Sequence, residues 1–172
     1  MTIGIGIIGF GFMGKTHLEA YQGAIRNGSD AQLVSVYSFD VDSTKSGNVE
    51  TGAADAVDLD SLGIHRADSL EELLTDDRVT AVSICTPTDT HVELASSAMR
   101  AGKDVLVEKP VALTPESIAE LSTVAEETGC LCMPAMCMRF WPGWSWLHDQ
   151  MRTGQFGPVI SARFQRIGAA PG

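Results

Sequence analysis

The sequence predicts an α/β fold built on a doubly wound parallel sheet, and three observations carry that prediction. Short apolar runs rich in Val and Ile alternate with helical segments from residue 3 to residue 135. The first run ends in the glycine-rich stretch Gly9-Phe10-Gly11-Phe12-Met13-Gly14. The apolar runs are separated by segments of helix length, so each connection is a crossover, which makes neighbouring strands parallel and places helices on both faces of the sheet.

Taken in order, Ile3 to Ile8 reads as a buried strand that ends at Gly9. Met13 to Arg26 is a helix stopped by Asn27-Gly28, and Gln32 to Ser38 is a second strand. The stretch from Asp42 to Asp60 is acidic and broken by Gly47 and Gly52, so it reads as a solvated face. Ser69, with Glu72 three residues on, is an N-cap with a capping-box partner for a short helix through Leu74. Val79 to Cys85 is a strand, Thr90 to Arg100 a helix stopped at Gly102, and Asp104 to Val107 a strand. Thr114-Pro115-Glu116 opens a helix with Pro at its first position, and that helix runs to Glu127 before Gly129. Cys130 to Ala135 is a strand and Trp144 to Arg152 a helix. Val159 to Gln165 is read as a final strand, because Ile160, Ala162 and Phe164 alternate with polar neighbours in the manner of a half-buried antiparallel strand. The expected organisation is a domain over residues 1–135, then a connecting segment over 136–172 that ends in this strand.

Bulk properties narrow the function. The chain has 172 residues, a hydrophobic fraction of 44% and a net charge of -10, with a mean hydropathy of +0.07. Its 12 Lys and Arg residues are scattered, whereas a nucleic-acid surface needs them clustered. No stretch reaches the ~18 apolar residues of a membrane span. The opening residues MTIGIGIIGF have no basic flank and run into the glycine loop, so they read as a strand and not a signal peptide. Cys85, Cys130, Cys132 and Cys137 form no CxxC pair and have no His at zinc-ligand spacing, so reduced thiols, no metal and a cytoplasmic location are expected.

The glycine loop carries the strongest chemical signal. GxGxxG after a strand and at the opening of a helix is the dinucleotide-binding fingerprint of the Rossmann fold. Gly9 permits the tight turn, Gly11 lets the backbone approach a pyrophosphate, and Gly14 lets the helix pack close. Phe12 and Met13 lie in the first turn, whose free N–H groups and positive dipole end attract phosphates. A methyltransferase also places a nucleoside loop after its first strand, but with less regular glycines. At the tip of the second strand, Ser38 tolerates a 2′-phosphate, while Asp40 reaches a ribose or caps a turn. The cofactor is therefore read as NAD or NADP.

Ile84-Cys85-Thr86-Pro87-Thr88-Asp89-Thr90-His91 and Ala101-Gly102-Lys103-Asp104-Val105-Leu106-Val107-Glu108-Lys109-Pro110, with Lys15-Thr16-His17 and Arg139-Phe140, resemble the glucose–fructose oxidoreductase, inositol dehydrogenase and MocA family. The resemblance spans essentially the whole chain, and Glu-Lys-Pro at a strand end is its most specific part. It implies that Lys109 lies beside the nicotinamide and touches the reacting oxygen, that Glu108 positions the cofactor ribose, and that a cis bond is common in this region. It also implies that Thr86 and Pro87 lie under the dinucleotide, with Thr88 and His91 near the nicotinamide. His17, His65 and His148 read as structural or exposed. Members of this family continue into an open antiparallel sheet whose Asp and His act on substrate. The resemblance thus implies an NAD(P)-binding Rossmann domain over residues 1–135 and, over 136–172, a connecting segment with the first strand of a truncated α+β substrate domain, so this chain is expected to be a fragment.

The function expected on this basis is the cofactor half of an NAD(P)-dependent oxidoreductase. It would move hydride between nicotinamide and a hydroxyl or carbonyl carbon of a sugar, a cyclitol or a related small molecule. The fragment alone is expected to be inactive, and the parent protein to be a homo-oligomer through its C-terminal sheet. The alternative is a dinucleotide-binding or sensor module without turnover.

Overall fold

Local signals fix where the elements start and stop. The Ser69 hydroxyl accepts a hydrogen bond from the Glu72 amide at 3.0 Å, and the Thr114 hydroxyl accepts one from the Ser117 amide at 3.2 Å. Each satisfies an orphan donor of a helix start. Gly129 and Gly154 end their helices in the left-handed region, with φ of 70° and 66°. The computed structural model describes residues 2–39, 57–165 and 167. The elements are β1 (Ile3–Ile8), α1 (Phe12–Arg26), β2 (Ala31–Tyr37), β3 (His65–Arg66), α2 (Leu70–Thr75), β4 (Ala81–Ile84), α3 (His91–Arg100), β5 (Asp104–Val107), α4 (Pro115–Thr128), β6 (Cys132–Pro134) and α5 (Pro142–Thr153).

The six strands form one sheet in the order β3-β2-β1-β4-β5-β6, and every pair is parallel. The order reverses between β1 and β4, and the crevice outside the strand ends at such a switch point is where open α/β sheets bind ligands. Adjacent residues of β1 serve opposite faces. Ile8 packs with Val82, Ile84, Met99 and Val107, whereas Ile7 packs with Phe10, Leu18 and Val36. A strand buried on both faces explains the uninterrupted apolar run.

One strand is added to the sequence reading and one is lost. β3 has only two residues and no apolar run of its own; it exists because Ser35 and Val36 of β2 offer it a ladder. Val159 to Gln165 pairs with no strand among the described residues and is exposed throughout. A strand is defined by a neighbour that takes up its N–H and C=O groups, and no such neighbour is present here. Asp40 and most of the acidic segment from Asp42 to Asp60 lie outside the described residues.

Contacts divide the chain into two units, Met1–Ala135 and Met136–Gly172. The second contains a short 3₁₀ turn at Cys137–Phe140 and α5. Within it Trp144 stacks on Phe164, with ring centroids 5.7 Å apart. No helix among the described residues is long and apolar enough to cross a membrane.

One close approach governs the first crossover. A Cβ on Gly14 would run into the backbone carbonyl oxygen of Gly9, which cannot swing aside as a side chain can. Gly14→Ala is therefore expected to destabilise the fold by about 1–3 kcal/mol, the range for forced overpacking, as read by urea denaturation. A midpoint unchanged from wild type would contradict the packing described.

Candidate functional site

The parallel register brings the ends of the central strands to one level. Ile8 of β1 lies opposite Ile84 of β4, and Ile84 opposite Val107 of β5. The residues that follow continue the ladder: the Gly9 amide donates to the Tyr37 carbonyl at 2.8 Å, Cys85 to Ile8 at 2.8 Å, and Glu108 to Ile84 at 3.0 Å. The glycine turn, the Cys85–Pro87 segment and the Glu108–Pro110 segment thus emerge side by side at the carboxyl edge of the sheet.

Gly9 turns with φ of 89°, and a Cβ there would lie 2.8 Å from the Thr86 methyl and 2.9 Å from the Cys85 carbonyl carbon. The turn is thus both left-handed and pressed against the neighbouring loop, which only glycine allows. Gly11 is the N-cap of α1. No side chain caps this helix, and its first turn, with Phe12 and Met13, holds no acid. The first-turn N–H groups and the positive end of the helix dipole are therefore left for an external anion. A Cβ on Gly11 would meet nothing within 4 Å, so the space before the helix is open.

Beside this helix start lies a cleft of about 570 Å³, lined among others by Gly9, Gly11, Ser38, Phe39, Thr86 and Pro87. That volume is within the range of small-molecule and cofactor sites. Thr88 opens the 3₁₀ turn Thr88–Thr90 and does not line the cleft, although Thr90 does. Thr90 donates its hydroxyl to Thr86 Oγ1 at 2.7 Å, which holds the loop below the cleft.

Lys109 is exposed, and its ammonium has no hydrogen-bond or ion-pair partner among the described residues. The bond from Lys109 to Pro110 is cis. Glu108 is only 7% exposed. One carboxylate oxygen accepts from His17 Nε2 at 3.0 Å and the other from the Lys109 backbone amide at 3.0 Å. Each carboxylate oxygen thus has a partner within the protein. His91 is 1% exposed, with Nδ1 2.9 Å from the Pro110 carbonyl oxygen and Nε2 2.9 Å from that of Thr86. It is buried between two carbonyls, with one beside each ring nitrogen.

His17 is structural, as its sequence suggests, and its partners emerge only in the fold. Its Nδ1 lies 2.6 Å from the Ser83 hydroxyl, so its ring joins α1 to β4 and to the end of β5. The available signal was position: His17 lies three residues after Gly14 and four before Tyr21, on the stripe of α1 that faces the sheet. Burial raises the Tyr21 phenol above its ordinary value, against a hydrogen bond to Ser83 that lowers it. Burial also pushes the Cys85 thiol up to about 12, and the Glu108 carboxylate adds to the rise. Among the described residues no cluster of His, Cys, Asp and Glu could hold a metal ion.

A model of an oxidoreductase family with an NAD-binding Rossmann fold, GFO_IDH_MocA, matches residues 3–136. The chain is 32% identical over 161 residues to an inositol 2-dehydrogenase of Rhizobium meliloti, covering 92% of this chain and 43% of the relative. It is 30% identical over 151 residues to a 4-carboxy-2-hydroxymuconate-6-semialdehyde dehydrogenase of Sphingobium, covering 88% of this chain and 44% of the relative. Among solved structures it is similar to the scyllo-inositol dehydrogenase of Lactobacillus casei, with a TM-score of 0.70 and 25% identity over 91% of this chain and 43% of that one. The chain spans less than half the length of these relatives.

The cysteines offer a test of the local environment. With a thiol at about 12, the thiolate fraction of Cys85 at pH 8 is on the order of 10⁻⁴. Iodoacetamide at pH 8 is expected to label exposed Cys137 and leave Cys85 unmodified, as read by peptide mass spectrometry. Prompt labelling of Cys85 in the folded chain would contradict the burial described.

Proposed function

The chain belongs to the Gfo/Idh/MocA oxidoreductase family with its NAD-binding Rossmann fold, and on that premise we propose that it forms the cofactor side of a dehydrogenase acting on a sugar or cyclitol. The observation that carries this reading is the uncapped start of α1, open in front of Gly11, on the same strand-end row as Lys109. The inositol dehydrogenases among its relatives support a polyhydroxylated substrate class.

The residues fit a dinucleotide by position and charge. First-turn N–H groups of α1 hold the pyrophosphate, with the helix dipole behind them. Ser38, in the cleft wall, faces the adenosine ribose, and Thr86 and Pro87 form the wall beneath. When bound, the nicotinamide supplies the hydride acceptor or donor. Lys109 donates a hydrogen bond to the substrate oxygen and shares a proton with it as the carbon changes between alcohol and carbonyl. Phe39, not Arg, follows Ser38. No cation at position 39 therefore grips a 2′-phosphate, and no carboxylate at position 38 repels one. NAD and NADP are expected to bind within about tenfold of each other.

Calorimetric titration with both cofactors tests the binding part. Gly11→Ala puts a methyl group into the open space before the helix, and is expected to weaken binding by about 2 kcal/mol while costing stability under about 1 kcal/mol. Equal affinity in the two proteins would mean that the loop is only a turn. Ser38→Asp is expected to shift preference toward NAD, since its carboxylate bonds ribose hydroxyls and repels a phosphate; an unchanged ratio would remove Ser38 from the ribose site.

The chemical part is tested in the whole protein on a panel of sugars and cyclitols. Lys109→Met is expected to lower kcat by about 10²-fold or more with NAD(H) affinity within about twofold of wild type. Full activity in that variant would end the assignment of Lys109 to the reacting oxygen.

A further inference from the structure

Lys109 is flanked on both sides by residues held from below, and the two holds come from different helices. Before it, the Glu108 carboxylate accepts from His17 of α1 and from the Lys109 amide, each at 3.0 Å. After it, the Pro110 carbonyl oxygen lies 2.9 Å from His91 Nδ1 at the start of α3. Neither histidine ends at that contact. His17 Nδ1 reaches Ser83 of β4 at 2.6 Å, and His91 Nε2 reaches the Thr86 carbonyl at 2.9 Å.

The geometry points to His17 and His91 as a pair of positioning residues that bracket Lys109 and fix its backbone relative to the cofactor loop, an inference that rests on the dehydrogenase reading of Lys109. The chemistry of the contacts sets the direction of the His17 bonds. An ionised carboxylate only accepts, so the His17 nitrogen facing Glu108 acts as a donor. In the neutral form of His17 the Ser83 hydroxyl then donates to Nδ1. For His91, a neutral ring donates to one of its two carbonyls and an imidazolium to both.

The arrangement has a consequence for Lys109 itself. Its side chain is exposed and unpartnered among the described residues, so nothing at the ammonium fixes where it points. Only the backbone holds it, through residues 108 and 110. Glu108 is 7% exposed and His91 1% exposed, so these bonds are shielded from water. Buried, shielded hydrogen bonds restrict geometry more than exposed ones do. A catalytic side chain gains precision when its supporting residues are locked in this way. The two histidines also tie the Lys109 segment to the elements beneath the cleft: α1 carries the glycine loop, and Thr86 lines the cleft wall.

The test uses isotope-labelled chain and follows the backbone resonances of residues 109 and 110. An amide donating to a carboxylate resonates downfield. His17→Phe keeps the ring volume and removes the donor, and is expected to move the Lys109 amide proton upfield. His17→Gln retains an N–H donor and is expected to hold it near its wild-type position. His91→Phe is expected to move the Pro110 carbonyl carbon upfield, and His91→Gln to restore it in part. If His17→Phe does not fold, Glu108→Gln weakens the same acceptor without emptying the space, and the same upfield shift at Lys109 is expected. A Lys109 amide unmoved in both His17→Phe and Glu108→Gln overturns the bracket, as does a Pro110 carbonyl unmoved in His91→Phe. NADH is then added to the wild-type chain. A bracket that responds to the variants beside a Lys109 amide that ignores NADH would remove Lys109 from the cofactor site and leave the bracket standing.

Discussion

The site depends on the level at which the parallel strands end. Parallel ladders in register place Ile8, Ile84 and Val107 in one row, and three further amide bonds carry that row to Gly9, Cys85 and Glu108. Residues separated by about a hundred positions in the chain meet there without any side chain having to reach. Burial on both faces of β1 enforces the register, because a slip by one residue would exchange Ile7 and Ile8 between two separate cores. The cofactor loop and Lys109 are therefore neighbours by backbone geometry, and the hydrophobic core is what holds that geometry in place.

Two glycines do different work on that row. Gly14 is required by packing, since the Gly9 carbonyl oxygen occupies the space a Cβ would need. Gly11 faces open space, and a Cβ there would meet nothing within 4 Å among the described residues. A residue whose small size serves no internal contact, at the uncapped start of a helix, makes sense when something outside the protein approaches it. The fold and the ligand thus place separate demands on the same hexapeptide, and single substitutions separate them.

The fold and the glycine turn that opens α1 are legible in the sequence because they rest on local signals. Periodicity marked β1 and β2, Ser69 and Thr114 marked helix starts, and Gly129 marked a helix end, each acting over a few residues. What was not legible depends on contacts between distant segments. His17 reads as one more helix residue until β4 brings Ser83 and β5 brings Glu108 beneath it. For Glu108 and His91 the resemblance gives a place near the ligand, and only the folded chain shows their internal partners: His17 and the Lys109 amide for Glu108, the Pro110 and Thr86 carbonyls for His91. Two-residue β3 follows from β2 beside it, not from its own residues. Val159 to Gln165 shows the converse, a strand-like alternation with no neighbour to pair with among the described residues.

Binding of a dinucleotide at the start of α1 and across the strand-end row is tested by backbone amide shift mapping during titration with NAD. The largest shifts are expected at Gly11, Phe12 and Met13, where free N–H groups meet the pyrophosphate, with further shifts at Ser38 and Thr86. Saturating NAD that leaves these amides unmoved, or moves only residues of α5 or the β6 edge, would contradict it.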